Sequence, residues 1–333
     1  MASPRRQLKP SSENEHQGYK ASVPSSQVVS VVLPVFNGVR YLSAAVESIL
    51  AQSFSEFEFI IVDDGSTDLS LKILRRFARK DPRIRIITRA NTGIVGALNE
   101  GIANCTGEFV FRMDADDVSL PRRFEVQLAE MHRSHDCVAL GSAVLFTDPE
   151  GRPLKVYRPS GMHSAIVDEL ANGNGGALIH PTVIFRREAL LRCGGYRESF
   201  QFIEDLDLFV RLLEFGFLSN LPDVLLRYRQ HSRSVNHVKG DFSKQRAEIV
   251  APLRKRRGAT EWAPGVQAGE DESMHSAGDL RRRWAFYAAE DGNVHSARVN
   301  ALMACWKDPW DRRNWSCFRY VAGLRSEKQL AGL

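Results

Sequence analysis

No run of apolar residues in this chain approaches the roughly 18 that a membrane-spanning helix needs. Nor does its start hold an apolar stretch of signal-peptide length, since residues 1–27 are Ser, Pro, Gln and charged residues. Both absences lead to the expectation of a cytoplasmic protein. Peripheral contact with the inner face of the plasma membrane stays open. The five cysteines, Cys105, Cys137, Cys193, Cys305 and Cys317, are scattered, odd in number and never spaced C-x-x-C. That argues against a zinc cage and against a disulfide framework. No G-x-G-x-x-G follows the first apolar run and no Walker loop occurs. A nicotinamide enzyme or a P-loop ATPase would therefore lack its phosphate grip. Charge of one sign is not in large excess: a net +5 suits anionic ligands or headgroups and does not point to nucleic acid.

The chain does carry a rhythm. Its 333 residues suit one large domain or two small ones, with enough apolar content (43%) for a substantial core. Residues 1–27 have the composition of a disordered tail. From Val28 the apolar, β-branched run to Val35 reads as a strand covered on both faces. Leu42, Val46, Ile49 and Leu50 then recur at helical spacing; Phe57 to Val62 is a second strand; Leu69, Ile73, Leu74 and Phe77 mark a second helix. Strands at 83–88 and 108–113 follow, with a helix at 93–104 between them. This alternation predicts a mostly parallel sheet flanked by helices, with ligands beyond the carboxyl ends of its strands. Further on, a helix is expected from Pro121 to about Ser134, strands at 137–146 and 178–185, a helix at 205–215 and extended chain at 221–229. The stretch 151–176 reads as irregular, 258–278 as a linker, and 279–291 with 294–306 as a helical hairpin around Gly292.

Two acidic clusters fall at the predicted strand ends. Asp114, Asp116 and Asp117 put three carboxylates into four residues after an apolar segment. Carboxylates that close repel one another, and a hard divalent cation would relieve the conflict. The segment also starts like a calcium loop, with Glu125 at the twelfth position. Val118, Ser119 and Pro121 break that pattern, so an EF-hand is rejected. A solvated acidic loop is the bland alternative. Asp63-Asp64-Gly65-Ser66 could be only a turn with a capping hydroxyl. At a strand end its carboxylates could equally accept from a base N–H or a ribose hydroxyl. Glu204-Asp205 opens an amphipathic helix, where simple capping is the competing explanation. A lone histidine such as His231 or His180 is more often structural than a ligand.

Taken in order, these motifs resemble the inverting nucleotide-sugar glycosyltransferases of family 2, over about Val28 to Asn236. The matching pieces are Val31-Val32-Leu33-Pro34-Val35-Phe36-Asn37, Ile61-Val62-Asp63-Asp64-Gly65-Ser66-Thr67-Asp68 and Asn91-Thr92-Gly93 with Ala97-Leu98-Asn99. Arg112-Met113-Asp114-Ala115-Asp116-Asp117 matches the D-x-D element, and His180-Pro181, Gly194-Gly195-Tyr196, Glu204-Asp205 and Tyr228-Arg229-Gln230-His231 follow. The resemblance implies an α/β GT-A fold: a Rossmann-like, mostly parallel central sheet flanked by helices, here with a helical C-terminal appendage. It divides the chain into a tail at 1–27, a glycosyltransferase domain at 28–240 (nucleotide-binding half 28–120, acceptor half 121–240) and an extension at 241–333. It also implies roles. Pro34, Phe36 and Asp64 would line the base and ribose pocket, with Asn37, Asp63, Asn91, Gly93, Asn99 and Arg112 around the donor. Asp114 and Asp116 would form the D-x-D pair, with Asp116 the direct ligand of Mn²⁺ or Mg²⁺, Asp117 a third candidate and His231 reaching the metal or diphosphate. Arg229 would help neutralise that diphosphate, and Asp205 would be the general base. The implied partners are a nucleotide-sugar donor, UDP-linked by default, and a glycan or lipid-linked acceptor, with no nucleic acid.

Departures narrow the expectation. Processive members carry membrane helices and a Q-x-x-R-W element, whereas Leu280-Arg281-Arg282-Arg283-Trp284 has no Gln. One sugar per event, in the synthesis of a surface polysaccharide or lipid-linked glycan, is the expected mode. Arg281 to Arg283 beside Trp284, with Trp306, Trp310 and Trp315, could mark a membrane-surface patch or a packed appendage with a solvated basic face. A nucleotidyltransferase would show a Gly-rich basic loop after the first strand, and Pro34-Val35-Phe36-Asn37-Gly38 is not one. A non-catalytic nucleotide-sugar-binding module is the remaining alternative.

Overall fold

Strands with no polar face must be covered on both sides, and this fold covers them. The computed structural model describes residues 29–232, 242–258 and 276–324. The tail expected at 1–27 and most of the linker expected at 258–278 lie outside those residues. β1 (Val29–Val35), α1 (Leu42–Leu50), β2 (Phe57–Asp63), α2 (Ser70–Ala78), β3 (Ile84–Thr88), α3 (Ile94–Ala103) and β4 (Phe109–Arg112) follow in strict alternation. Side chains of a strand alternate between faces, so each apolar run feeds two cores. Val31, Leu33, Phe59 and Ile61 pack with Leu42, Val46, Ile49 and Leu74 on one side. Val32, Ile60 and Val62 pack with Val95, Leu98, Leu206 and Phe209 on the other.

The second half completes the sheet with β5 (Val118–Ser119), α4 (Arg123–Arg133), β6 (Cys137–Thr147), β7 (Pro153–Tyr157), α5 (His163–Ala171), β8 (Ile184–Arg186), α6 (Arg187–Arg192), α7 (Glu204–Leu212) and β9 (Phe217–Arg229). Strand order is β3-β2-β1-β4-β8-β6-β9-β5, with β7 paired to β6. β1 runs parallel to β2 and β4, and β6 runs parallel to β9, so most paired residues lie in parallel ladders. β8 enters antiparallel between β4 and β6. The result is a GT-A sheet, mixed but mostly parallel.

Two expectations in this half fail for local reasons. The strand expected at 178–185 is a 3₁₀ turn at His180–Thr182 followed by the short β8. Pro181 has no N–H to give a ladder. The chain turns instead, with Thr182 N–H bonding the Ile179 carbonyl at 2.8 Å and Val183 N–H the His180 carbonyl at 3.1 Å. The stretch 151–176, expected irregular, holds β7 and α5. α5 buries only Ile166, Leu170 and Ala171, a stripe too short to register as periodic.

After β9 come α8 (Ser243–Arg256), α9 (Ala277–Glu290), α10 (Val294–Lys307) and α11 (Arg312–Ala322). The hairpin around Gly292 forms as expected, with α11 as an unforeseen third helix. Their core joins Leu280, Trp284, Ala285, Ala297, Ala301, Cys317 and Val321 to Leu154 of β7. The Arg281 guanidinium reaches both Glu150 oxygens, at 2.8 and 2.9 Å, and Asn300 Nδ2 donates to Asp148 at 3.0 Å. Arg281 and Trp284 are therefore buried in the docking contact. Of the two readings left open for this stretch, Arg281 and Trp284 take the packed one, and Arg282 pairs with Asp279 and Asp311 inside the bundle. No helix among the described residues is long and apolar enough to cross a membrane.

Candidate active site

Parallel strands end together, so the residues just past β1, β2 and β4 share one edge. Val35 pairs with Asp63 and Val32 with Arg112. Past β1, Pro34 is half-buried and the Phe36 ring stands exposed. Asn37, with a left-handed φ of 50°, accepts the Thr67 N–H at 2.8 Å and donates its own N–H to Ser66 Oγ, which shapes the turn after β2. Past β2, Asp64 is buried. Its carboxylate accepts the N–H groups of Thr92 (3.1 Å) and Gly93 (2.9 Å), lies 3.3 Å from Arg89 Nε, and its backbone carbonyl accepts from Asn91 Nδ2. Asn91 and Gly93 thus gather around Asp64. The Asp64 charge itself is committed to the 89–93 loop. Asp63 is different: its buried Oδ1 has no hydrogen-bond partner among the described residues. Asn99 sits further off, clamping the Tyr196 backbone through both its amide atoms at 2.8 and 2.9 Å.

Gly93 has φ 91°, and a Cβ there would come 2.5 Å from Gln201 Nε2. The 89–93 loop and the segment before α7 therefore meet closely, with the end of the Gln201 side chain over Gly93. Gly93→Ala is expected to cost about 1–2 kcal/mol from the left-handed backbone alone. Thermal denaturation checks this, and an unchanged melting temperature would contradict it.

Past β4 the acidic cluster converges. Asp114, Asp116 and Asp117 each bring an oxygen within 4.8 Å of the others. Arg112, buried at the strand end, pairs with Asp114, and the buried Arg123 holds the Arg112 carbonyl at 2.8 Å. His231 Nε2 lies 2.8 Å from Asp116. Asp117 accepts the Arg229 N–H at 2.8 Å on one oxygen, and the other has no partner among the described residues. Burial, then the charges of Asp116 and Asp114, push the Asp117 carboxyl well above the usual range. Asp114 is raised too, by burial, Asp116 and Asp205, against the pull of Arg112. A cluster of acids under mutual repulsion, one with an orphaned oxygen and one beside an imidazole, fits a hard divalent cation. Arg229 has another task here. Its Nε donates to the Asp116 carbonyl (2.9 Å), its Nη1 donates to the Pro149 carbonyl (3.0 Å), and it lies 4.6 Å over the Tyr41 ring. Tyr41 also stacks on His231 at 5.1 Å, and its buried hydroxyl has no partner among the described residues. Tyr41 and Arg123 were missed from the sequence, because a tyrosine before a helix and an arginine inside one carry no motif.

The opposite wall is the N-terminus of α7. Among the described residues, the Asp205 side chain accepts the N–H of its neighbour Leu206, at 2.7 Å. Burial raises its carboxyl above the usual range, while that N–H, Arg112 and Arg246 oppose the rise. Glu204, buried with one unpartnered oxygen, is pushed up to about 7 by burial and by Asp205. The two acids titrate as a pair. A Cβ on Gly175 would lie 3.3 Å from Asp205 Oδ1, so the Gly-rich patch packs directly against this carboxylate. His180 Nε2 and the Tyr196 hydroxyl meet at 2.7 Å, and burial with Arg112 nearby keeps His180 neutral. Asp207 turns away to Arg197 and Arg211 and belongs to the scaffold.

The chain is similar to known proteins in sequence and in fold. Residues 30–194 match the model of the family described as Glycosyl transferase family 2. The amylovoran biosynthesis glycosyltransferase AmsE of Erwinia amylovora is 32% identical over 215 residues, covering 63% of this chain and 79% of AmsE. Among solved structures, S. aureus TarS 1-349 in complex with UDP is similar at a TM-score of 0.51 and 19% identity, over 92% of both chains. The mannosyltransferase PcManGT from Pyrobaculum calidifontis, in complex with GDP-Man and Mn²⁺, is similar at a TM-score of 0.51 and 19% identity, over 92% of this chain and 88% of that one.

Proposed function

The chain belongs to glycosyl transferase family 2, and from that premise we propose that it transfers one sugar with inversion from a nucleoside-diphosphate sugar to an acceptor hydroxyl. The acceptor is a glycan or lipid-linked glycan of surface polysaccharide synthesis, and the donor base is uracil. The observation that carries this reading is the convergence across one cleft: the Asp114 carboxyl is raised by Asp205 as well as by Asp116. One acid group faces the donor and another faces the acceptor.

Asp114, Asp116 and Asp117, with His231, are the residues that would hold Mn²⁺ or Mg²⁺. The bound ion supplies positive charge to the diphosphate leaving group. The protein's own residues do the rest. The exposed Phe36 ring offers a face to the base, and the unpartnered Asp63 oxygen offers an acceptor to a base N–H or ribose hydroxyl. Asp205 takes the proton of the acceptor hydroxyl as the acceptor oxygen bonds the anomeric carbon and the bond to the diphosphate breaks. Arg229 braces the acidic loop while His180 and Tyr196 wall the cleft.

The base works only when unprotonated, and its carboxyl titrates above the ordinary range. Activity is therefore lost on acidification at a higher pH than an exposed aspartate would give. The reading as a whole is tested by a thermal-shift screen of nucleoside diphosphates and nucleotide-sugars with Mn²⁺, because a ligand of the folded state raises the melting temperature. A shift with UDP compounds is expected. A shift with GDP compounds alone overturns the base, and no shift with any overturns the donor class.

A further inference from the structure

Among the described residues, much of the outward face of α10 and α11 is left exposed. Their inner face is spent on the bundle core through Ala297, Ala301, Cys317 and Val321. On the outside stand Leu302, Trp306, Trp310, Trp315 and Tyr320, with Trp306 73% and Trp310 91% exposed. Trp306 closes α10, Trp310 lies in the turn and Trp315 follows in α11, so the indoles cluster at one end of the pair. Of the five cations in these helices, Arg313 pairs with Asp311 and Asp279 and Arg298 donates to carbonyls at the end of α11, while Lys307, Arg312 and Arg319 stand exposed beside the indoles. Asp311 is turned to Arg313 and Arg282. Lys307 Nζ lies 4.5 Å over the Trp306 ring.

We propose that this face docks on an anionic lipid bilayer, with the three tryptophans seated among headgroups and the arginines and lysine over their phosphates. Charge complementarity selects the occupant, since an exposed cationic surface studded with indoles matches the interface of an acidic membrane. Neither part suffices alone, because stable surface binding takes both an apolar insertion and a basic patch. A turn whose tryptophan is almost wholly exposed is a projection, suited to entering a soft surface. The docking deepens the reading of a lipid-linked acceptor, on which its purpose rests. α9 bolts the bundle to the 148–151 turn through Arg281 and Glu150, and the Pro149 carbonyl of that turn accepts from Arg229. The docking face is thus tied to the loop that carries the acidic cluster.

Flotation of the full chain with vesicles tests this. Phosphatidylcholine vesicles containing phosphatidylglycerol should carry the protein upward, and pure phosphatidylcholine should not. Raised salt should release it. Arg319→Gln should lower the partition coefficient roughly fivefold, and Trp306→Ser with Trp310→Ser should abolish flotation, all with unchanged melting and unchanged donor hydrolysis in solution. Wild-type protein that stays at the bottom, or a double variant that floats as well as wild type, overturns the proposal. A wild-type dimer that the double variant dissolves, without vesicle binding, overturns it in favour of a contact between copies. Donor hydrolysis on the same samples separates the two readings: activity without flotation sinks only the membrane surface, and flotation without activity sinks only the transferase chemistry.

Discussion

Asp205→Asn is expected to lower sugar transfer by about 10²–10⁴-fold while leaving nucleotide binding unchanged. That range is what a positioned proton acceptor contributes. The substitution keeps the shape, so α7 should hold its place. Asp205 bonds its own Leu206 N–H, and an asparagine oxygen can accept the same bond. Asparagine cannot take the acceptor proton at any working pH. Binding should persist because the proposed nucleotide contacts lie elsewhere, at the ends of β1, β2 and β4. Turnover with a fixed acceptor, alongside calorimetric titration with the nucleoside diphosphate, reads the two effects apart. Transfer within tenfold of wild type would remove Asp205 as the base. Lost nucleotide binding would mean instead that the N-terminus of α7 supports the donor.

The second large effect is expected at Asp116. Asp116→Ala should weaken Mn²⁺-dependent nucleotide binding by more than about a hundredfold, since even groups behind a metal ligand cost ten- to a hundredfold when removed. Binding measured with chelator present should barely change. Without metal, the variant should melt no lower than wild type. Three crowded carboxylates repel one another, and Asp116 is among the charges that raise both Asp114 and Asp117. Deleting it relieves that repulsion at the cost of one bond to His231. A purely structural aspartate would behave in the opposite way, with a lower melting temperature and metal-independent binding losses. Equal titrations of the variant and wild type with nucleotide and Mn²⁺ would exclude Asp116 as a ligand.

Much of the cleft could be read before folding. Asp63, Asp64 and the Asp114–Asp117 run announce themselves as acids at the ends of apolar runs, and the parallel alternation from β1 to β4 puts those ends side by side. The roles of individual polar atoms were harder to read. Asp64 looks like a ligand group in the sequence, yet its charge serves Thr92, Gly93 and Arg89. Asn99 looks like part of the donor side and holds Tyr196, 97 residues away, instead. Arg229 looks like a counter-charge for phosphate and braces two backbone carbonyls. Each is a contact between residues far apart in the chain, and no local pattern encodes the partner. The strand misplaced at 178–185 failed for a nearer reason: its apolar content outweighed the missing N–H of Pro181.

The sequence by itself determined the alternation of strand and helix, the burial of the sheet on both faces and the edge along which the acids lie. These follow from hydrophobic period and from backbone chemistry, which act over a few residues. Only the tertiary structure decided that Asp205 comes near enough to Asp114 to raise its carboxyl, that Arg281 is buried against Glu150, and that the tryptophans of α10 and α11 are left outside. Those outcomes depend on which surfaces meet. Such meetings are set by the packing of the whole chain, where an arginine may bury its charge in one contact and show it to solvent in another.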